Sequence, residues 1–157
     1  MVYQTELVSK PELPLSFAAD ASYFKVYMAD VGLLRRKAGV YYETILNGDD
    51  NYILFKGAMA ENYVHNELLQ GHYHPYFWRS GNSAEVDFLI ERKGKIIPVE
   101  VKSAENTMAK SYRAFCKQYS IETGLKVSMK NLGYSEENLT TTVSLPLYML
   151  WDVERFL

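Results

Sequence analysis

Cysteine is almost absent from this sequence: Cys116 stands alone, so no disulfide can form within the chain and the fold must be held by its core. A lone thiol is most often a small core residue, and a buried, reduced Cys116 in a cytoplasmic protein is the expectation. Long apolar runs are missing as well. No segment approaches the ~18 to 20 continuous apolar residues of a membrane span, and the opening residues show neither a basic, apolar leader nor a cleavage-site pattern. No G-x-x-x-x-G-K-[ST] run occurs, which excludes P-loop binding of ATP by this chain alone. Positive charge is not in excess: 17 Lys and Arg stand against 19 Asp and Glu, a net charge of −2. The molecule as a whole therefore lacks the field of a protein that holds nucleic acid through many phosphates. There is no internal repeat and no low-complexity tract.

What remains is an ordinary globular composition, 48% hydrophobic and 23% charged, with an aromatic share of 14% that includes 13 Tyr. A chain of 157 residues fits one domain that buries roughly two-thirds of its unfolded surface, enough for a core without metal or disulfide staples. Charge is unevenly placed. From Arg92 to Lys117 there are seven basic residues (Arg92, Lys93, Lys95, Lys102, Lys110, Arg113, Lys117) against Glu100 and Glu105. Strand ends and one solvated helix face would account for that as well as a phosphate-binding edge would.

Residues 1–22, with Pro11 and Pro14 and little periodicity, read as an extended lead-in, the end of an upstream domain; residues 23–157 read as the domain proper. Residues 24–34 alternate and then turn at Gly32, 33–46 have helical spacing, and 47–51 form a polar turn. A second helix is predicted from Tyr52 or Gly57 to Leu69, ending before Gly71. From Tyr73 the period changes to two, giving strands at 74–79, 84–91 and 95–102 separated by tight turns, which implies an antiparallel meander. Residues 104–119 read as a helix with Met108, Tyr112 and Phe115 on one stripe. Residues 125–129 and 141–145 read as strands, Pro146 stops the last, and 147–157 read as a terminal helix. The pattern is α/β, with a central mixed sheet flanked by helices.

Chemistry concentrates in the meander. Side chains alternate along a strand, so Glu100 and Lys102 share one face while Ile97, Val99 and Val101 share the other. In the strand before, Val86, Phe88 and Ile90 form an apolar face and Asp87 points away with Glu85, Leu89 and Glu91. A short turn makes these strands neighbours, so Asp87 is expected beside Glu100. Buried carboxylates and an ammonium are costly unless they pair or bind a cation. Asp87, Glu100 and the carbonyl of Val101 would form a half-shell for Mg²⁺ (or Mn²⁺), with Lys102 at a bound water, an arrangement suited to phosphodiester hydrolysis. On spacing alone the same residues would also suit a solvated strand face with a cross-strand ion pair. On the preceding helix Ala58, Glu61, Val64, His65 and Leu68 make a stripe that sets Glu61 among apolar neighbours; the adjacent stripe through Glu67 is nearly as good. His72 and His74, beside Tyr76, Phe77 and Trp78, lack a third ligand and read as packing.

The segments Gly57-Ala-Met-Ala-Glu61-Asn62, Phe77-Trp-Arg-Ser80, Ala84-Glu-Val-Asp87-Phe88 and Ile97-Pro-Val-Glu100-Val-Lys102-Ser103 resemble, in order and spacing, a C-terminal domain of unknown function. That domain follows the ATPase domain in a large prokaryotic family of predicted AAA+ ATPases. It is similar to the restriction-endonuclease-like PD-(D/E)XK nuclease superfamily. Pro14-Leu15-Ser16, Phe24 to Tyr27, Asp30 to Leu34 and Leu145-Pro146-Leu147 extend the resemblance over most of the chain. It implies a restriction-endonuclease-like core, Asp87, Glu100 and Lys102 as the acid, acid and lysine of the motif, and Glu61 as the acidic residue of the helix. Val86 stands where the motif usually has proline. Arg79 and Ser80, with Lys110 and Arg113 on the next helix, are candidate phosphate contacts. The resemblance also implies an ATPase in cis or as a separate chain, and this sequence as the C-terminal piece of a longer protein. Three functions remain open: a metal-dependent nuclease acting on DNA, a non-cleaving module that binds nucleic acid or a partner, and an oligomerisation or docking domain.

Overall fold

The computed structural model describes residues 1–46, 52–81, 84–103 and 109–157. The polar turn read at 47–51, part of the turn after Ser80 and the start of the helix read from 104, with Met108, lie outside the described residues.

In chain order the elements are β1 (Val2–Leu7), α1 (Leu15–Ala18), β2 (Asp20–Met28), α2 (Val31–Lys37), α3 (Tyr42–Leu46) and α4 (Ile53–Gln70). They continue with β3 (Tyr76–Ser80), β4 (Ala84–Arg92), β5 (Lys95–Lys102), α5 (Lys110–Gln118), β6 (Thr123–Ser128), β7 (Gly133–Glu137) and β8 (Thr140–Pro146). A 3₁₀ helix, Leu147–Phe156, kinked at Asp152, closes the chain. All eight strands form one mixed sheet in the order β2-β1-β3-β4-β5-β6-β8-β7. The expected meander is present: β3, β4 and β5 pair antiparallel, while β5, β6 and β8 run parallel. Crossing from β5 to a parallel β6 needs a long connection, and α5 lies within it. No described helix is long and apolar enough to cross a membrane.

The central strands β3, β4, β5, β6 and β8 are largely buried, between two separate cores. One, under α4 and the terminal 3₁₀ helix, collects Val64, Leu68, Phe88, Ile90, Val99, Leu125 and Leu145; the other, under α5, collects Trp78, Val86, Leu89, Tyr112 and Phe115. The polar face assigned to β4 is thus only partly polar, because Leu89 is fully buried beneath α5. Val86 also departs from the sequence reading, which put it with Phe88 and Ile90. Between Tyr76↔Leu89 and Trp78↔Val86 the register shifts. Three steps along β4 answer two along β3, so the two-residue period slips between Val86 and Phe88.

Three further differences follow from tertiary pairing. The segment read as an extended lead-in contains β1, which pairs with β2 residue for residue from Val2↔Met28 to Glu6↔Phe24. The helix expected over 33–46 is two short helices interrupted by Gly39 at φ 69°. Strand β7 is polar and exposed, so no apolar alternation marks it, and it is held by pairing to β8. The β4–β5 turn needs left-handed backbone at two successive residues, Lys93 at φ 49° and Gly94 at φ 71°, as in a two-residue type I′ hairpin.

Candidate active site

The ladder between β4 and β5 runs from Arg92↔Lys95 to Phe88↔Val99 and stops there. Beyond that point β4 stays with β3, through Trp78↔Val86 and Ser80↔Ala84, and β5 stays with β6, through Glu100↔Lys126 and Lys102↔Ser128. The sheet therefore opens between Asp87 and Glu100, which continuing the register would have placed opposite each other. Asp87 sits at the slip in β4. Its Oδ2 accepts the Val101 N–H at 2.7 Å, taking a backbone donor of β5 where strand pairing has ended. The structure thus bonds the Val101 N–H to Asp87, at the same residue whose carbonyl the sequence offers as a ligand.

Glu100 is almost wholly buried at 4% exposure. Its Oε1 meets the Lys102 ammonium at 2.6 Å, and its Oε2 is buried with no hydrogen-bond partner among the described residues. Burial chiefly, then the charges of Glu100 and Glu61, push the Asp87 carboxyl up to about 7, against the opposing pull of the Val101 N–H and Lys25. Glu100 is also raised, by burial first, with Lys102 and Lys126 opposing. For Lys102, burial works to lower the value, but the bond and charge of Glu100, with Asp87 and Glu61, outweigh it, so the ammonium stays charged. The two carboxylates are thus a destabilised pair that binds a proton readily near neutral pH.

Glu61 projects from α4 toward the same opening but is already engaged. Its Oε1 accepts from Lys25 Nζ at 2.9 Å and from Tyr27 Oη at 2.5 Å. Lys25 also bonds Glu85 Oε1 at 2.5 Å and lies over the Phe77 ring, 5.2 Å from its centre. On the same helix, Asn62 clamps β2 by bonding both the N–H and the carbonyl of Met28, each at 2.8 Å. His65 is buried, stacked on Tyr27 with ring centres 4.3 Å apart, and burial lowers its pKa. Glu67 has its hydroxyl neighbour in Tyr63; of the two rival carboxylates, Glu61 is the one brought to the cluster.

Lys25, Tyr27 and Lys126 were not foreseen. Lys25 and Tyr27 carry the i, i+2 signature of one strand face, but nothing in sequence joins β2 to α4. Lys126 is cross-strand neighbour to Glu100 and sits 5.3 Å from the centre of the Tyr112 ring. The candidate phosphate contacts separate. Arg79 and Ser80 are exposed at the end of β3, with Arg79 3.7 Å from Glu85 near the cluster. Lys110 is exposed at the start of α5, whereas Arg113 faces Glu137 of β7 at 3.8 Å.

Residues 56–148, more than half of the chain, match a domain of unknown function, DUF4143. The chain belongs to this family. Glu61, Asp87, Glu100 and Lys102 all fall inside the DUF4143 span, and so do the strands that part around them. Lys25 and Tyr27 fall outside it. No curated protein matches the sequence.

Among the described residues no group of three His, Cys, Asp or Glu side chains forms a metal cage. A hard cation such as Mg²⁺ does not require one, since it keeps several waters and takes one or two protein carboxylates. The unpartnered Glu100 Oε2, on a carboxylate whose charge raises the proton affinity of Asp87, fits that donor set. A cation there would relieve both the orphaned oxygen and the repulsion.

Proposed function

We propose that this DUF4143 domain is a divalent-metal-dependent phosphodiester hydrolase with a restriction-endonuclease-like PD-(D/E)XK core, working as the C-terminal part of a larger ATPase protein or beside a separate ATPase chain. The observation that carries the reading is the Asp87–Glu100 pair at the split between β4 and β5, with an unpartnered buried oxygen on Glu100 and the Lys102 ammonium 2.6 Å from its other oxygen.

Asp87, Glu100 and the Val101 carbonyl are the groups that would hold Mg²⁺ or Mn²⁺. When bound, the ion supplies a lowered pKa for a coordinated water and offsets charge on the phosphate. The chain's own groups do the rest. The Val101 N–H fixes one Asp87 oxygen, leaving the other for a ligand. Lys102, kept charged by Glu100, orients a water and stabilises the negative charge that develops at phosphorus. Glu61 acts at one remove, anchoring Lys25 and Tyr27 beside Asp87. Arg79, Ser80 and Lys110, exposed on strand and helix ends, are the proposed phosphate contacts, with DNA as the substrate class.

A second reading, a non-cleaving module that binds nucleic acid, docks a partner or self-associates, is favoured by the net charge of −2. Incubation of the purified chain with single- and double-stranded DNA and RNA, with Mg²⁺ or Mn²⁺, beside Lys102→Ala, separates the two. Hydrolysis that falls by about 10²-fold or more in the variant is expected. Equal cleavage by both proteins, or none by either, sinks the catalytic reading.

A further inference from the structure

Glu61, Glu85, Asp87 and Glu100 bring four carboxylates to the opening; Glu100 has the Lys102 ammonium, Asp87 accepts a backbone N–H, and Glu61 and Glu85 share one counter-charge. That counter-charge is Lys25. Its ammonium stands 2.9 Å from Glu61 and 2.5 Å from Glu85, with the face of Phe77 beneath it, and the side chain is only 23% exposed. A cation held between two carboxylates is how a metal ion would sit, and here the chain supplies it from β2. Tyr27, two residues further along that strand, donates to the same Glu61 oxygen that Lys25 holds. Ligands that a second ion would require are therefore already occupied by protein donors.

We infer that the Lys25 ammonium occupies the position of a second cation, between Glu61 and Glu85, so that the site takes a single divalent ion at Asp87 and Glu100 and Glu61 is not a ligand to it. The count of one rests on the metal site proposed above; the role of Lys25 does not. Lys25 is thus a positioning residue that sets how many ions the cluster accepts. It comes from a hairpin outside the span that matches the family.

The test is a count of bound Mn²⁺ by calorimetry and by electron paramagnetic resonance of the free ion, on the full chain, with thermal unfolding to identify folded variants. Wild type is expected to bind one Mn²⁺, lost in Asp87→Asn and kept in Glu61→Gln, with an affinity loss there of no more than about 10- to 100-fold, as for a group that supports ligands without touching the ion. Lys25→Met is expected to gain one ion, and that gain to vanish in the Lys25→Met/Glu61→Gln double variant. Lys25→Arg keeps the wild-type count. Two ions on wild type, loss of the ion in Glu61→Gln, or a folded Lys25→Met that gains nothing each overturn the inference. Should Lys25→Met not fold, Glu61→Gln decides alone. Wild type binding no Mn²⁺ defeats the metal-site reading instead; in that case a Glu61-dependent ion gained by Lys25→Met still supports the role of Lys25, and its absence refutes it.

Discussion

Replacing Asp87 by Asn should stabilise the metal-free protein, and by an amount that grows with pH. The side chain keeps an oxygen to accept the Val101 N–H and loses only the charge that the site disfavours. In the folded protein the carboxyl titrates at about 7, against a reference value of 3.8. Below the reference value both folded and unfolded chains hold the proton, and Asp87 exerts no penalty. Between the two values the unfolded chain releases its proton first, so stability falls as pH rises; above 7 both are ionised and the penalty is complete. The gap between these two values corresponds to at most about 4 kcal/mol, and partial exposure of Asp87 reduces this through solvent screening. The stability difference between Asp87→Asn and wild type is therefore expected to increase by about 1–3 kcal/mol from pH 5 to pH 8, or several degrees in Tm for a domain of this size. Urea unfolding in EDTA across that range measures it directly. Adding Mn²⁺ at about 100 times its Kd should restore roughly 2.7 kcal/mol to wild type and little to the variant. A difference flat in pH, or an Asn variant less stable than wild type at pH 8 in EDTA, would refute the account of the pair as a strained, cation-seeking site.

Three further outcomes test the packing around the site. Gly124→Ala should cost about 1–3 kcal/mol in urea unfolding, because a Cβ there would fall 2.1 Å from the Tyr112 hydroxyl, which is buried and bonded to Thr142; Tyr112→Phe should recover part of it. Asn62→Ala strips both side-chain bonds from the Met28 backbone and should cost about 2–4 kcal/mol, with faster amide exchange at Met28 as the local readout. Cys116, 4% exposed and pushed up to about 11 chiefly by burial, should be unreactive to a thiol reagent at pH 7.5 in the folded chain and react at once in urea.

Strands β3, β4 and β5 were legible because their apolar residues alternate between turns rich in Gly, Lys and Ser, and α4 because its apolar stripe ends at Gly71. The polar strand β7 was not, since its place depends on the hydrogen bonds of β8 rather than on any pattern of its own. The break after Lys37 was similarly hidden, because helical spacing runs on through Gly39. Within the site, Glu100 and Lys102 follow from strand alternation alone. For Asp87 the alternation is not enough: Val86 leaves the face of Phe88 and Ile90 at the slip in β4, and Asp87 meets β5 at the Val101 N–H, where the ladder has opened.

The sequence by itself determined which residue types could do chemistry and roughly where: two acids and a lysine within two neighbouring strands, an acid on the helix before them, and one thiol too isolated to cross-link. These are short-range properties, set by side-chain period and turn chemistry. Tertiary structure alone decided that β4 and β5 part beside Asp87, that Glu100 keeps one oxygen without a partner, and that Lys25 reaches from β2 to Glu61 and Glu85. Each depends on strand register or on contacts between residues 36 or more positions apart, and the free energy of such contacts is set by burial and geometry that no local pattern encodes.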